Sequence, residues 1–243
     1  MNSSSGLSKV KTESDKIESK DIFKNLKSDY FLIKLFNNLL KKKSLHIIKY
    51  NKNIKNRINI GIKDYKEYSE IYSSIEIGIK LVNNKYGIFF NIDKENEKCY
   101  HIYLNDNKEE IKRNYANEDE KGAKFKIIID YQIKSFIELF CFCDCVEYIY
   151  FKKFFRNNIT NMEYMFYGCS SLKELNVINL NTNNITKMNG MFYGCSSLTN
   201  INLSNFYTDK VTNMSDMFFG CSTILIKRIK AKYKNISKKS KLY

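Results

Sequence analysis

Few residues of this chain could perform acid–base or nucleophilic chemistry. The 243 residues include only two histidines, His46 and His101, and seven cysteines. The sequence has no glycine-rich phosphate loop, no H-E-x-x-H zinc motif and no G-x-S-x-G nucleophile motif. Nothing marks either histidine as the base for a cysteine nucleophile. The sequence therefore predicts that the protein is not an enzyme.

Three cysteines lie close together at Cys141, Cys143 and Cys145, and Cys99 or His101 could provide a fourth zinc ligand. The C-x-C spacing lacks the C-x₂₋₄-C pairs that are typical of structural zinc sites. We therefore expect no metal and no cofactor. The number of cysteines is odd and no paired framework is visible, which predicts free thiols in a reducing compartment.

Two carboxylate clusters, at residues 109–110 and 118–120, could supply a general acid and base. Their sequence surroundings are polar and contain no evident partner residues. A solvated face therefore fits these clusters better than acid–base catalysis does.

A repeat of 26 residues is the strongest pattern in the sequence. The segments that begin at Asn158, Asn184 and Lys210 align, and each continues into an M-F-[YF]-G-C-S motif. The predicted units are 133–158, 159–184, 185–210 and a partial unit 211–226. Within a unit, L-x-x-L-x-L spacing predicts a short strand, and apolar residues three and four apart predict a helix-like segment.

The pattern N-[IV]-T-[NK]-M-x-x-M-F-x-G-C-S-[ST]-[LI] resembles the BspA-like leucine-rich repeats of microbial surface proteins and their eukaryotic paralogues. The resemblance covers about residues 133–226. It implies a leucine-rich-repeat solenoid that recognises other proteins. The bacterial surface members act in adhesion or matrix binding, so a surface or secreted adhesin is an alternative function.

In a leucine-rich repeat the strands line one face, and the residues between the apolar positions project from it. This arrangement predicts a partner-binding surface of three columns of residues. The columns are Tyr148, Glu174 and Asn200; Tyr150, Asn176 and Asn202; and Lys152, Ile178 and Ser204. Tyrosines beside amides and one apolar residue form a patch suited to protein binding.

The first half of the chain has a different pattern. Residues 1–18 are polar and predicted to be disordered, and residues 19–60 are predicted to be helical. Residues 61–130 are predicted to form a β-rich module that caps the first repeat, because residues 75–81 alternate between apolar and other types. The short helices weakly resemble F-box-like modules, which suggests an adaptor for a ubiquitin-ligase-like scaffold as another alternative.

The formal charge of +15 is concentrated at the two ends. Residues 1–60 carry +9 and residues 225–243 carry +8, whereas the residues between them carry −2. Residues 227–243 are predicted to be a basic tail, either solvated and frayed or in contact with phosphates or an anionic membrane. Nucleic-acid binding as the main function has little support.

The predicted location is cytoplasmic, because no apolar run reaches the roughly 18 residues of a membrane span and no secretory leader is visible. Weak self-association could occur at an open strand edge near residues 224–226. The predicted fold class is α+β, with N-terminal helices, a small β-rich module and a short C-terminal leucine-rich-repeat solenoid. The predicted function is non-enzymatic binding of a protein partner through the strand face.

Overall fold

The computed structural model describes residues 28–30, 32–33, 52–59 and 62–242. The chain divides into two compact units, Met1–Gly61 and Ile62–Tyr243. The segment predicted to be disordered, 1–18, and most of the segment predicted to be helical, 19–60, lie outside the described residues.

The first unit is helical where it is described. Residues 29–30 and 32–33 are helical, and helix α1 spans Lys52–Arg57. The Nε atom of Arg57 donates a hydrogen bond to Oδ1 of Asp29 at 2.7 Å. This ion pair joins two segments that are far apart in sequence.

The second unit is built on a mixed β-sheet of six strands and a small sheet of two strands. Its elements are α2 Ile62–Tyr72, β1 Ile75–Leu81, β2 Gly87–Ile88, β3 Tyr100–Leu104, β4 Glu110–Ile111, β5 Tyr115–Ala116, β6 Lys124–Ile129, β7 Val146–Lys153, β8 Glu174–Asn176, α3 Thr223–Lys232 and α4 Lys234–Lys239, with 3₁₀ helices at Lys94–Cys99 and Glu118–Glu120. The large sheet has the order β4-β3-β6-β1-β7-β8, and β2 pairs with β5. Only β7 and β8 run parallel among the pairs of the described sheets.

Strand β1 lies at the centre of the large sheet. Its alternating sequence directs Ile75, Ile77, Ile79 and Leu81 into the core, where all four are buried. Ile77 is opposite Ile127 of β6 on one side and Phe151 of β7 on the other. The β-rich module and the first part of the repeat region therefore share one sheet and one core.

The predicted fold class is wrong, because the described residues form a mixed six-stranded sheet and a small two-stranded sheet with few helices, and no leucine-rich-repeat solenoid is found among them. Of the strands expected in the repeat units, β7 is antiparallel to β1, β8 has three residues, and residues 198–203 form no strand. The expected helix-like segment 185–192 is not helical: Lys187 forms an isolated bridge and residues 189–192 form turns. Local hydrogen bonds give one physical reason for the missing strand pairing. The Asn176 and Asn202 side chains accept hydrogen bonds from the backbone N–H groups two residues later, which competes with strand pairing.

Residues 26 apart nevertheless contact one another. Isolated parallel bridges join Ser135 to Asn161, Asn161 to Lys187 and Lys187 to Asn213. Four buried phenylalanine rings stack in series with centroids 5.4–5.6 Å apart, and they belong to Phe140, Phe166, Phe192 and Phe218. The sequence repeat thus corresponds to a series of matching contacts between turns.

The C-terminal residues form two helices. Ser222 caps α3 by accepting a hydrogen bond from the N–H of Leu225 at 3.2 Å. Leu225, Ile229 and Ile236 are buried in the core. The expectations of an open strand edge near 224–226 and of a frayed tail are therefore wrong, since three buried apolar residues, spaced four and seven positions apart, hold this segment in the core of the second unit.

Candidate functional site

The outer face of β7 and β8 presents five of the nine predicted binding residues, and the other four lie after β8. Tyr148 is opposite Glu174, and Tyr150 is opposite Asn176, in parallel register. The residues between them, Ile149 and Leu175, point inward and are buried. Eight of the nine predicted residues are exposed, and Tyr148 is half-buried.

Seven of the nine predicted residues line one shallow depression of about 970 Å³, which we call the strand-face groove. Its lining also includes Lys173, Ser197 and Thr199. The predicted lining residues are Tyr148, Tyr150, Glu174, Asn176, Ile178, Asn200 and Asn202. Lys152 and Ser204 are exposed but lie outside this lining. The structure therefore brings most of the predicted surface together although residues 198–203 form no strand.

Strand β1 extends this face beyond the predicted residues. The Tyr150 ring lies directly over Gly78, where a Cβ atom would overlap the ring. The Lys80 ammonium lies 5.1 Å from the centroid of the Tyr148 ring. Both tyrosines are therefore held from one side by β1. Sequence reasoning missed these β1 residues because the pairing of β1 with β7 is a long-range contact.

Two acidic residues, Glu147 and Glu76, accept hydrogen bonds from the lysines around the strand-face groove. Glu147 accepts hydrogen bonds from Lys173 Nζ at 2.6 Å and from Lys80 Nζ at 3.4 Å. The hydrogen bond from Lys173 lowers the pKa of Glu147, and burial of the carboxylate opposes this change. Glu76 likewise accepts from Lys152 at 2.9 Å, which lowers the pKa of Glu76. The lysines beside the groove therefore face ionised partners at neutral pH.

The amide groups of the groove are only partly available to a partner. The Oδ1 atom of Asn176 accepts from the N–H of Ile178 at 3.2 Å, and that of Asn202 accepts from the N–H of Ser204 at 3.0 Å. The Tyr233 hydroxyl also lies 3.3 Å from Asn202 Oδ1. The Oδ1 atoms of Asn176 and Asn202 are therefore already engaged by hydrogen bonds within the protein. Glu174 and Asn200 lie beside them and are exposed.

Cysteines 26 residues apart, Cys143, Cys169, Cys195 and Cys221, form a column of buried or half-buried free thiols, which we call the cysteine column. Cys169 donates to the carbonyl of Phe140 at 3.0 Å, and Cys195 donates to that of Phe166 at 3.2 Å. Burial raises the pKa of both thiols. The prediction of free thiols is confirmed, and their hydrogen bonds link neighbouring turns. Among the described residues, no group of three or more His, Cys, Asp or Glu side chains could hold a metal ion.

The expectation that the carboxylate clusters lack partners is wrong. Glu110 accepts from Lys112 Nζ at 2.5 Å and lies 3.1 Å from Nδ1 of His101. The bond from Lys112 lowers the pKa of Glu110. Glu120 pairs with Arg113. These partners come from strand pairing and turns, so they indicate structural ion pairs.

A second exposed feature was not predicted, and we call it the aromatic ladder. The Tyr167 and Tyr193 rings stack at 4.5 Å, and the Tyr193 and Phe219 rings stack at 5.0 Å. Phe142 packs edge-on against Tyr167, and both Phe142 and Phe219 are well exposed. The signal in the sequence is the aromatic residue that precedes glycine in each repeat motif.

Comparison with known proteins gives one partial match. Neither the curated proteins nor the solved structures compared with the chain include a match. In the described part of the chain, no helix has the length and apolar character needed to cross a membrane. Residues 134–242, which are less than half of the chain, are similar to a family described as "Mycoplasma protein of unknown function, DUF285".

Proposed function

We propose that this chain is a non-enzymatic recognition module that binds a protein partner in the strand-face groove. The observation that carries the proposal is the convergence of two tyrosines, one exposed isoleucine and several polar side chains on one continuous depression. Aromatic residues surrounded by polar groups are typical of protein-binding surfaces.

The support from β1 favours binding at this face. The Tyr150 ring is about half exposed and rests on Gly78, so it is positioned before a partner arrives. A side chain that is already ordered loses less conformational entropy on binding. Tyr150 is therefore proposed as the central anchor, with Ile178, two residues after the end of β8, as the apolar contact.

Affinity capture with quantitative mass spectrometry tests the proposal. The chain offers a matched pair of exposed isoleucines, Ile178 in the groove at 46% exposure and Ile137 outside it at 47%. Ile178→Glu should reduce capture of the partner at least about tenfold, because it places a charge within the contact. Ile137→Glu should leave capture unchanged.

Equal capture by both variants and the unsubstituted protein would contradict the proposal. Circular dichroism of both variants checks that each is folded. The cytoplasmic location, the adaptor role of the N-terminal helices and the adhesin alternative remain predictions.

A further inference from the structure

The C-terminal helices hold a concentrated positive charge on an ordered surface. Residues 217–243 contain eight Lys and Arg residues and no Asp or Glu. A flexible tail would carry the same charge, but α3 and α4 are fixed by buried apolar residues. The lysines therefore act together at defined positions.

Helix α3 has two chemically distinct sides. Leu225 and Ile229 are buried on the inner side. Because residues three, four and seven apart share a helix face, Ile224, Lys227, Arg228 and Ala231 lie together on the opposite side, and all four are exposed. Ile224 remains 53% exposed, and Lys227 and Arg228 follow it three and four residues later. The outer side of α3 thus combines an apolar residue with positive charge.

Helix α4 adds exposed cations directly after α3. Ile236 and Ser237 are buried, whereas Lys234 and Lys238 are exposed. Between the helices, the Tyr233 hydroxyl accepts a hydrogen bond from the N–H of Leu203 at 3.0 Å. Lys239 donates to the carbonyl of Thr208. These contacts fix the helix pair to residues 203–208.

The composition of this surface favours a lipid partner over nucleic acid. Seven of the eight cations are lysines, which act as point charges, whereas specific nucleic-acid recognition relies heavily on arginine. Clusters of four to eight basic residues on an amphipathic helix are typical of anionic lipid binding. An exposed isoleucine on such a helix, here Ile224 in the first turn of α3, can enter the boundary between headgroups and acyl chains.

We propose that the outer face of α3 and α4 binds an anionic membrane surface, with the lysines near lipid phosphates and Ile224 inserted between headgroups. The binding is peripheral, and it uses side chains other than those that line the strand-face groove. It should require negatively charged lipid and weaken with salt.

Vesicle co-sedimentation of the full chain tests the proposal. Vesicles of phosphatidylcholine alone are compared with vesicles that contain phosphatidylserine. The variant Lys227→Gln/Lys234→Gln/Lys238→Gln should partition at least about tenfold more weakly onto the anionic vesicles, because each basic residue near the surface contributes substantially. The control variant Lys94→Gln/Lys98→Gln/Lys108→Gln removes three exposed charges elsewhere and should partition like the unsubstituted protein.

Ile224→Ser separates lipid binding from simple polyanion binding. It keeps every charge and should weaken vesicle partitioning about fivefold, since one partly inserted apolar side chain is lost. Its binding to single-stranded RNA should equal that of the unsubstituted protein.

Three results would overturn the proposal. They are equal partitioning onto neutral and anionic vesicles, equal losses in the two lysine variants, and tight RNA binding without vesicle binding. Thermal melting of each variant confirms that the helices remain folded.

Discussion

At the scale of single residues, Arg156 is a charged side chain whose burial requires hydrogen-bond partners. It is completely buried, and it donates to Asn158 Oδ1 at 3.0 Å and to the carbonyls of Asp130, at 2.9 Å, and Ile133. Burial lowers the pKa of Arg156 to about 10, and the nearby Asp130 charge opposes this change. Arg156→Leu should lower the free energy of unfolding by about 3 kcal/mol, because buried carbonyls lose their donors.

Urea denaturation followed by circular dichroism measures the loss in Arg156→Leu. Arg228 provides the control, because it also donates to a carbonyl, that of Thr199 at 3.1 Å, but is exposed. Arg228→Leu should lose less than about 1 kcal/mol. Similar losses in the two variants would show that burial of the guanidinium is not the cause.

The cysteines allow a second residue-scale prediction. Burial raises the pKa of Cys169 and Cys195, and the thiolate is the reactive form. Both should resist iodoacetamide in the native protein and react fully in denaturant. Cys141 is half-buried, with its pKa raised by burial to about 11, and should react first. Peptide mass spectrometry measures the order of labelling, and early modification of Cys169 would contradict the buried column.

At the scale of elements, Glu147 of β7 links β1 to the start of β8 through Lys80 and Lys173. The pKa of Glu147 is lowered in the folded state, so this group stabilises the fold above the unfolded-state pKa. That stabilisation is lost as the pH falls through the lowered folded-state value. Glu147→Gln should therefore cost about 1 kcal/mol at neutral pH and little in strong acid.

Denaturant titrations of Glu147→Gln at neutral and acidic pH measure this difference. Glu97 is exposed in a 3₁₀ helix and provides the control, because its carboxylate makes no hydrogen bond or ion pair with the described part of the chain. A cost for Glu147→Gln that stays constant across the pH range would contradict the ion-pair explanation.

Elements with strong local sequence patterns could be predicted, but the strands with which they pair could not. The alternation in β1 identified that strand, since burial on one face produces a period of two. The strand expected at 198–203 does not form, because the Asn202 side chain accepts a hydrogen bond from the N–H of Ser204. For the groove, the 26-residue spacing aligned Tyr150 with Asn176, as the structure shows. Gly78 and Lys80 were missed because only long-range pairing brings β1 beside β7.

At the scale of the whole molecule, one core runs from the β-rich strands to the C-terminal helices. The buried cluster includes Ile77 of β1, Phe192 of residues 185–222, which we call the turn region, and Ile229 of α3. Independent repeats would unfold separately, whereas a shared core and sheet should unfold cooperatively. Ile77→Ala should cost about 3 kcal/mol and should therefore reduce amide protection in residues 185–222 as much as in β1.

Hydrogen exchange with mass spectrometry measures that protection peptide by peptide. The amide of Phe192 donates to the carbonyl of Met217 at 2.9 Å, so exchange there reports on contacts between turns that lie far from Ile77 in sequence. Ile224→Ala, at an exposed position, should leave protection unchanged throughout. If Ile77→Ala reduced amide protection in β1 while residues 185–222 kept full protection, the turn region would be an independent folding unit. Equal loss in both regions would mean that the strand-face groove, which draws residues from β7, β8 and the following turn, depends on the stability of the entire second unit.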